Sequence, residues 1–303
     1  MNVTRRQHHV WRSYLEAWAT DCKIWCLQEG RIFNANVSRV AVERDFYKLH
    51  PLTDADIHAL RVICDSRLRP MKELVEDFIY TLGIAGRLKA ASPFASNPTV
   101  DAQLDCYIIT AEEKLHARYE DGIKPVFDAI RRKDLSFYDD PALYAKFTHF
   151  LCLQNLRTNG VRERFLAAER ERPSGFGNDF SAERCWPILA HFMAASAGAT
   201  LLRERKKRPL LLLESELATP FITGDQPVVN LLGGAPGVAP QLLAFYYPVS
   251  PQLAVILDEM DERTGFQRGR VSVEQAKALN EEIKRAAYRQ IFASSQRSLK
   301  PLL

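Results

Sequence analysis

Three distant stretches of the 303-residue chain carry side chains that could do chemistry together: His8 and His9 near the start, Gln154 and Arg157 near the middle, and Asp225 further on. An imidazole moves protons near neutral pH, and a guanidinium matches phosphate or carboxylate oxygens with a fixed fork of donors. A carboxylate can orient the imidazole, act as a base or bind a metal. One of each, drawn from three segments, is a parts list for hydrolysing an anionic ester. On that reading His9, Arg157 and Asp225 are the catalytic candidates, and His8, Tyr14 and Gln154 are the substrate-binding ones. No metal-ligand set is assigned, and the residues leave the cofactor open.

Each candidate also has a structural explanation. In the segment from Ala142 to Gly160 the apolar stripe Leu143, Phe147, Phe150, Leu151 continues into Gln154, Arg157 and Thr158. The arginine is thereby turned inward, where an unpaired charge costs several kcal/mol, so it needs a carboxylate, carbonyls or an anionic ligand. Asp225 is the expected partner. It follows Gly224 at a sharp break in an apolar run, and Pro227 pushes Gln226 out of helical space. The alternative for Asp225 is a turn in which the carboxylate bonds nearby backbone. His8 and His9 are read on a short amphipathic helix with Val10, Trp11, Tyr14, Leu15 and Trp18, where adjacent residues point about 100° apart, so at most one faces the core.

The elements that must position these groups follow from pattern. Two strand-like runs around Gln28, Glu29 and Gly30 form a hairpin. Thr53, with Asp56 three residues on, caps a helical pattern that runs with interruptions to Leu82. The stretch 83–98 reads as a loop, and helices are expected over 101–120, 122–132, 140–169 and 182–207. Beyond residue 209 four short apolar runs read as strands, and a closing helix starts from Ser272 with Gln275 three residues on. The predicted fold is one α+β domain over 1–303: helix plus hairpin in 1–50, helices in 51–208, sheet plus closing helix in 209–303. The hairpin and the C-terminal strands should form one small, mainly antiparallel sheet against the helical bundle.

Composition narrows the class. With 47% hydrophobic and 26% charged residues the chain resembles neither a disordered nor a fibrous protein. The first residues include two arginines but no following apolar run, so no secretory signal is expected. No later segment is expected to cross a membrane, and the expected location is cytoplasmic. The six cysteines are scattered without metal spacing and read as reduced thiols. A net charge of +4 permits an anionic ligand without requiring one. The basic run 203–208 reads as a helix end before Pro209, and no nucleotide-binding loop, nucleophile elbow or zinc-protease motif is present.

Taken in order, Gln7-His8-His9 with Tyr14-Leu15, Asp45-Phe46-Tyr47, Gln154 with Arg157-Thr158, Gly224-Asp225-Gln226-Pro227 and Tyr247-Pro248-Val249-Ser250-Pro251 resemble one bacterial family, domain of unknown function 4238 (DUF4238). The resemblance reaches Asn280 and Tyr288. The family pattern carries a proline four residues after the first histidine, where this chain has Arg12. It implies a shared site rather than an activity. The expected function is a hydrolase of a phosphodiester or nucleotide, including a nuclease, with nucleotide or nucleic acid as partner. The alternatives are a regulatory module holding an anionic ligand or a protein partner, or a purely structural Arg157–Asp225 pair.

Overall fold

The N-terminal histidines belong to a strand and the turn after it, not to a helix. In the computed structural model, which describes residues 5–65, 69–91, 97–171, 173, 175–233, 242–258 and 266–303, the chain opens with β1 (Arg6–His8). The expected helix is reduced to α1 (Arg12–Leu15) and a single 3-10 turn at Glu16–Trp18. The hairpin strands β2 (Lys23–Gln28) and β3 (Arg31–Asn36) follow, then β4 (Val42–Arg44), which pairs antiparallel with β1 and sets His8 opposite Val42. The ladder captures this segment: His9 N–H donates to the Ala41 carbonyl at 3.1 Å, and strand pairing outweighs a weak helical pattern. The hairpin turn is the expected one, with Glu29 at φ 50° and Gly30 at φ 73°, both in the left-handed region that a two-residue turn of this hand requires.

Helices α2 (Asp54–Ile63) and α3 (Arg69–Ala90) come next, α2 with the Thr53–Asp56 capping box formed in both directions. The loop expected from residue 83 is helical as far as Ala90. Its small residues serve packing: a Cβ on Gly86 would lie 2.9 Å from the Pro51 backbone. Residues 92–96 of that expected loop lie outside the described residues. The expected helices 101–120 and 122–132 are one continuous α4 (Pro98–Arg131), which runs through Gly122 and Pro125 without a break. The expected helix 140–169 is instead two, α5 (Pro141–Leu156) and α6 (Asn159–Glu171), divided at Arg157 and Thr158.

Helix α7 (Ala182–Arg203) packs along α5 so closely that a Cβ on Gly198 would sit 3.0 Å from the His149 Cα. By length and composition α7 could cross a membrane, contrary to expectation, yet half of its apolar window is buried inside the fold, as in a core helix. The basic run that ends α7 is partly built in. Arg208 is buried against Glu204 at 2.8 Å, and Arg205 donates to the carbonyls of Tyr138 and Asp139.

The strands beyond α7 are β5 (Leu210–Glu214), β6 (Thr223–Gly224), β7 (Val229–Asn230), β8 (Phe245–Pro248), β9 (Leu253–Leu257) and β10 (Phe266–Arg270). They are followed by α8 (Val273–Ala286), β11 (Ile291–Ala293) and α9 (Gln296–Leu299). The fold is α+β, and the hairpin does join C-terminal strands, in the order β3-β2-β11-β6. Among the described residues the one expected sheet is, however, three: this one, the β1–β4 pair, and β10-β5-β9-β8-β7, in which β10 pairs parallel to β5. The Ser272–Gln275 capping box opens α8 as expected. Trp11, Tyr14, Phe127, Phe150 and Tyr247 belong to one buried cluster that joins α1, α4 and α5 to β8.

Candidate functional site

Gln154, Arg157 and Thr158 all face inward, as the stripe on α5 requires, and Gln154 and Thr158 are fully buried. Arg157 does not meet Asp225. Its guanidinium bonds Glu120 of α4 at 2.7 Å, the Tyr47 hydroxyl at 3.1 Å and the backbone carbonyl of His8 at 3.0 Å. The Tyr47 hydroxyl donates to that same carbonyl at 3.0 Å, and Gln154 Nε2 donates to the carbonyl of His9 at 3.3 Å. Of the expected set His9, Gln154, Arg157 and Asp225, the structure brings Gln154 and Arg157 to the backbone carbonyls of residues 9 and 8 rather than to an imidazole ring, and gives Asp225 other partners.

The two central motifs touch one residue away from the expected pair. Thr158 donates to the Gln226 side chain, whose amide donates to the Asn155 carbonyl at 3.2 Å and the Val228 carbonyl at 3.0 Å. Asp225 instead accepts N–H groups of Tyr288, Arg289 and Gln290 at 2.8, 2.7 and 3.0 Å, and so fixes the turn from α8 into β11. Burial pushes its carboxyl above the ordinary range, and the three donors pull it back. Asp225→Asn will therefore lower stability by about 1–3 kcal/mol, because one acceptor becomes a donor facing N–H groups. Urea denaturation of the two proteins at pH 7 measures this, and equal midpoints would remove the structural task assigned to the carboxylate.

Tyr14 is also buried, its hydroxyl 2.8 Å from the Pro248 carbonyl and 2.6 Å from the Thr223 hydroxyl, so it ties α1 to the sheets and presents nothing to solvent. His8 and His9 are neutral at pH 7. Burial, with Arg12 and Arg157 nearby, lowers His8 to about 4, and burial with Arg157 lowers His9 to about 3. The His9 ring rests against Phe46, with centroids 5.3 Å apart.

Beside Arg157 lies a cavity of about 20 Å³, room for one water-sized occupant. Its floor is Glu112 and His116, one turn apart on α4, and His191 from α7, all three buried. Its outer end includes the exposed Lys48 and His50 together with Arg162. Glu112 Oε1 lies 3.6 Å from His116 Nε2 and 3.7 Å from His191 Nε2. Those separations are too long for hydrogen bonds. Neither ring nitrogen of either histidine has a hydrogen-bond partner among the described residues. Burial pushes the Glu112 carboxyl up to about 8 against the pull of Arg157 and Arg162. It also lowers His191 to about 3 and His116 well below the ordinary imidazole value. A buried acid facing two neutral imidazoles can hold, take or return a proton, and the same donor atoms can ligate an ion.

Residues 6–297 match the sequence profile of the family described as protein of unknown function, DUF4238. The chain belongs to that family. No curated protein and no solved structure matches it. The DUF4238 match spans the carbonyl lock around Arg157 and the cavity floor alike. Several residues that carry the family resemblance are structural brackets: Asn280, for instance, receives the Ile222 N–H at 3.0 Å and donates to the Pro220 carbonyl at 3.0 Å. Sequence reasoning passed over Glu112, His116 and His191. The available signal was a carboxylate and an imidazole four apart on an expected helix, plus one histidine inside the apolar run of α7.

Proposed function

We propose that this chain hydrolyses a phosphodiester or nucleotide substrate presented at the outer end of the Glu112–His116–His191 cavity. The observation that carries this reading is a buried carboxylate and two imidazoles with unpartnered nitrogens, set beneath a rim that includes Lys48, His50 and Arg162. Lys48 and Arg162 at the rim hold the phosphoryl oxygens, and the charge on Arg157 adds to the field there. A water on the floor adds to phosphorus, the ester P–O bond breaks, and the leaving oxygen takes up the proton that the water gives to the floor. Proton handling moves in this reading from His9 to the floor, because His9 does not line the cavity.

The test is turnover of nitrophenyl phosphodiesters and a nucleotide panel by the full chain. The parent should turn over at least one substrate, Glu112→Gln should fall by about 10²-fold or more in kcat, and Lys48→Ala should act mainly on KM. A parent that turns over none of the panel, or a folded Glu112→Gln that keeps the parent rate, rejects the hydrolase.

A second reading, a non-catalytic module for an anionic ligand, is favoured by one observation. Arg157 is already engaged by Glu120, Tyr47 and the His8 carbonyl, so it offers a substrate charge rather than free donors. That reading expects nucleotides to raise the melting midpoint with no turnover.

A further inference from the structure

We infer that Glu112, His116 and His191 form a binding site for a divalent first-row transition ion with zinc-like chemistry. The three donor atoms lie within 4.8 Å of one another, and the two separations from Glu112 are 3.6 and 3.7 Å. Donors about 2.0–2.2 Å from a four-coordinate ion stand about 3.3–3.6 Å apart, so the spacing that is too long for hydrogen bonding is close to that of a shared ion. Two imidazoles and one carboxylate favour zinc, iron or their neighbours over magnesium or calcium, which prefer all-oxygen shells.

The placement fits as well. Glu112 and His116 lie one turn apart on α4, so a single helix face supplies two ligands, and α7 supplies the third across the bundle. Both nearby guanidinium groups already have carboxylate partners, Arg157 with Glu120 and Arg162 with Glu183, each at 2.7 Å, which offsets part of the positive charge a cation meets there. Three protein ligands leave a fourth position toward the cavity, whose volume of about 20 Å³ suits one water. The chemical use of the ion rests on the hydrolase reading. Occupancy does not, and it is measured without turnover.

The experiment uses the full chain in a Cys22→Ser background, which removes the exposed thiol as a competing ligand. Chelator-stripped protein is reloaded with zinc(II), cobalt(II) or magnesium(II) and followed by elemental analysis, melting midpoint and visible absorption. The expected result is one zinc per chain, a higher midpoint with zinc but not with magnesium, and cobalt bands of a four- or five-coordinate site. Glu112→Gln, His116→Gln and His191→Asn, each checked for folding by circular dichroism, should each weaken zinc binding by about tenfold or more. If one variant does not fold, the remaining ones carry the comparison, and the cobalt spectrum of the parent needs none of them. Folded parent that takes up no zinc, or folded variants that bind it as the parent does, overturns the site. Zinc bound without turnover supports the site and rejects only the hydrolase. Turnover that survives stripping, in protein that takes up no zinc, overturns the site and leaves the hydrolase standing.

Discussion

Arg157→Met should cost about 3–5 kcal/mol of stability, a large share of what a folded domain possesses. The side chain is buried and links α4, the Tyr47 hydroxyl and β1 through Glu120, Tyr47 and the His8 carbonyl. Removing it leaves a buried carbonyl and a hydroxyl with one partner fewer and a carboxylate without its counter-charge. Glu120→Gln should also destabilise, and the double variant should cost less than the sum of the two, because the second change removes a charge the first has stranded. Urea unfolding of the four proteins supplies the cycle. Strict additivity would show that the ion pair contributes nothing, and a loss below about 1 kcal/mol for Arg157→Met would show that the contacts are ornamental.

Mild acid is the second large effect. His9 and His8 have folded pKa values lowered to about 3 and about 4 from the ordinary 6.5. The unfolded chain therefore takes up protons first as pH falls, so the stability these groups permit is complete above pH 6.5 and declines below it toward the folded values. Between pH 7 and 5 each histidine should withdraw about 2 kcal/mol, the His8 share reduced by its partial exposure. His9→Gln should flatten the decline by its own share, and comparing the variant with the parent cancels the titration of every other group. Denaturation midpoints at pH 5, 6 and 7 measure it. Parallel pH profiles for parent and variant would contradict the burial argument.

The sequence made Gln154 and Arg157 legible because helical periodicity on a single element decides which residues face inward. It could not choose Arg157's partner. Glu120 lies on a separate helix, and whether α4 or the 224–227 turn approaches α5 on that side is settled by packing, which left Asp225 with backbone donors and gave the junction to Thr158 and Gln226. The break between α5 and α6 carried only the weak signal of Asn159-Gly160, which themselves begin α6, and the divided helix is held by contacts of residues 157 and 158 to Glu120, Tyr47 and Gln226. His8 and His9 were assigned to a helix because local spacing resembled one, while their strand partner is β4. Capping boxes at Thr53 and Ser272 and the Glu29-Gly30 turn were readable because each is closed within a few residues. The cavity floor is the opposite case, with two ligand candidates on one helix and the third on another.

The lock around β1 grips carbonyl oxygens, and every amino acid carries the same carbonyl. Arg157 and Gln154 hold the chain at positions 8 and 9 without reading which side chains stand there. An exchange of either histidine therefore leaves the anchorage in place, so any change it produces reports on the imidazole alone.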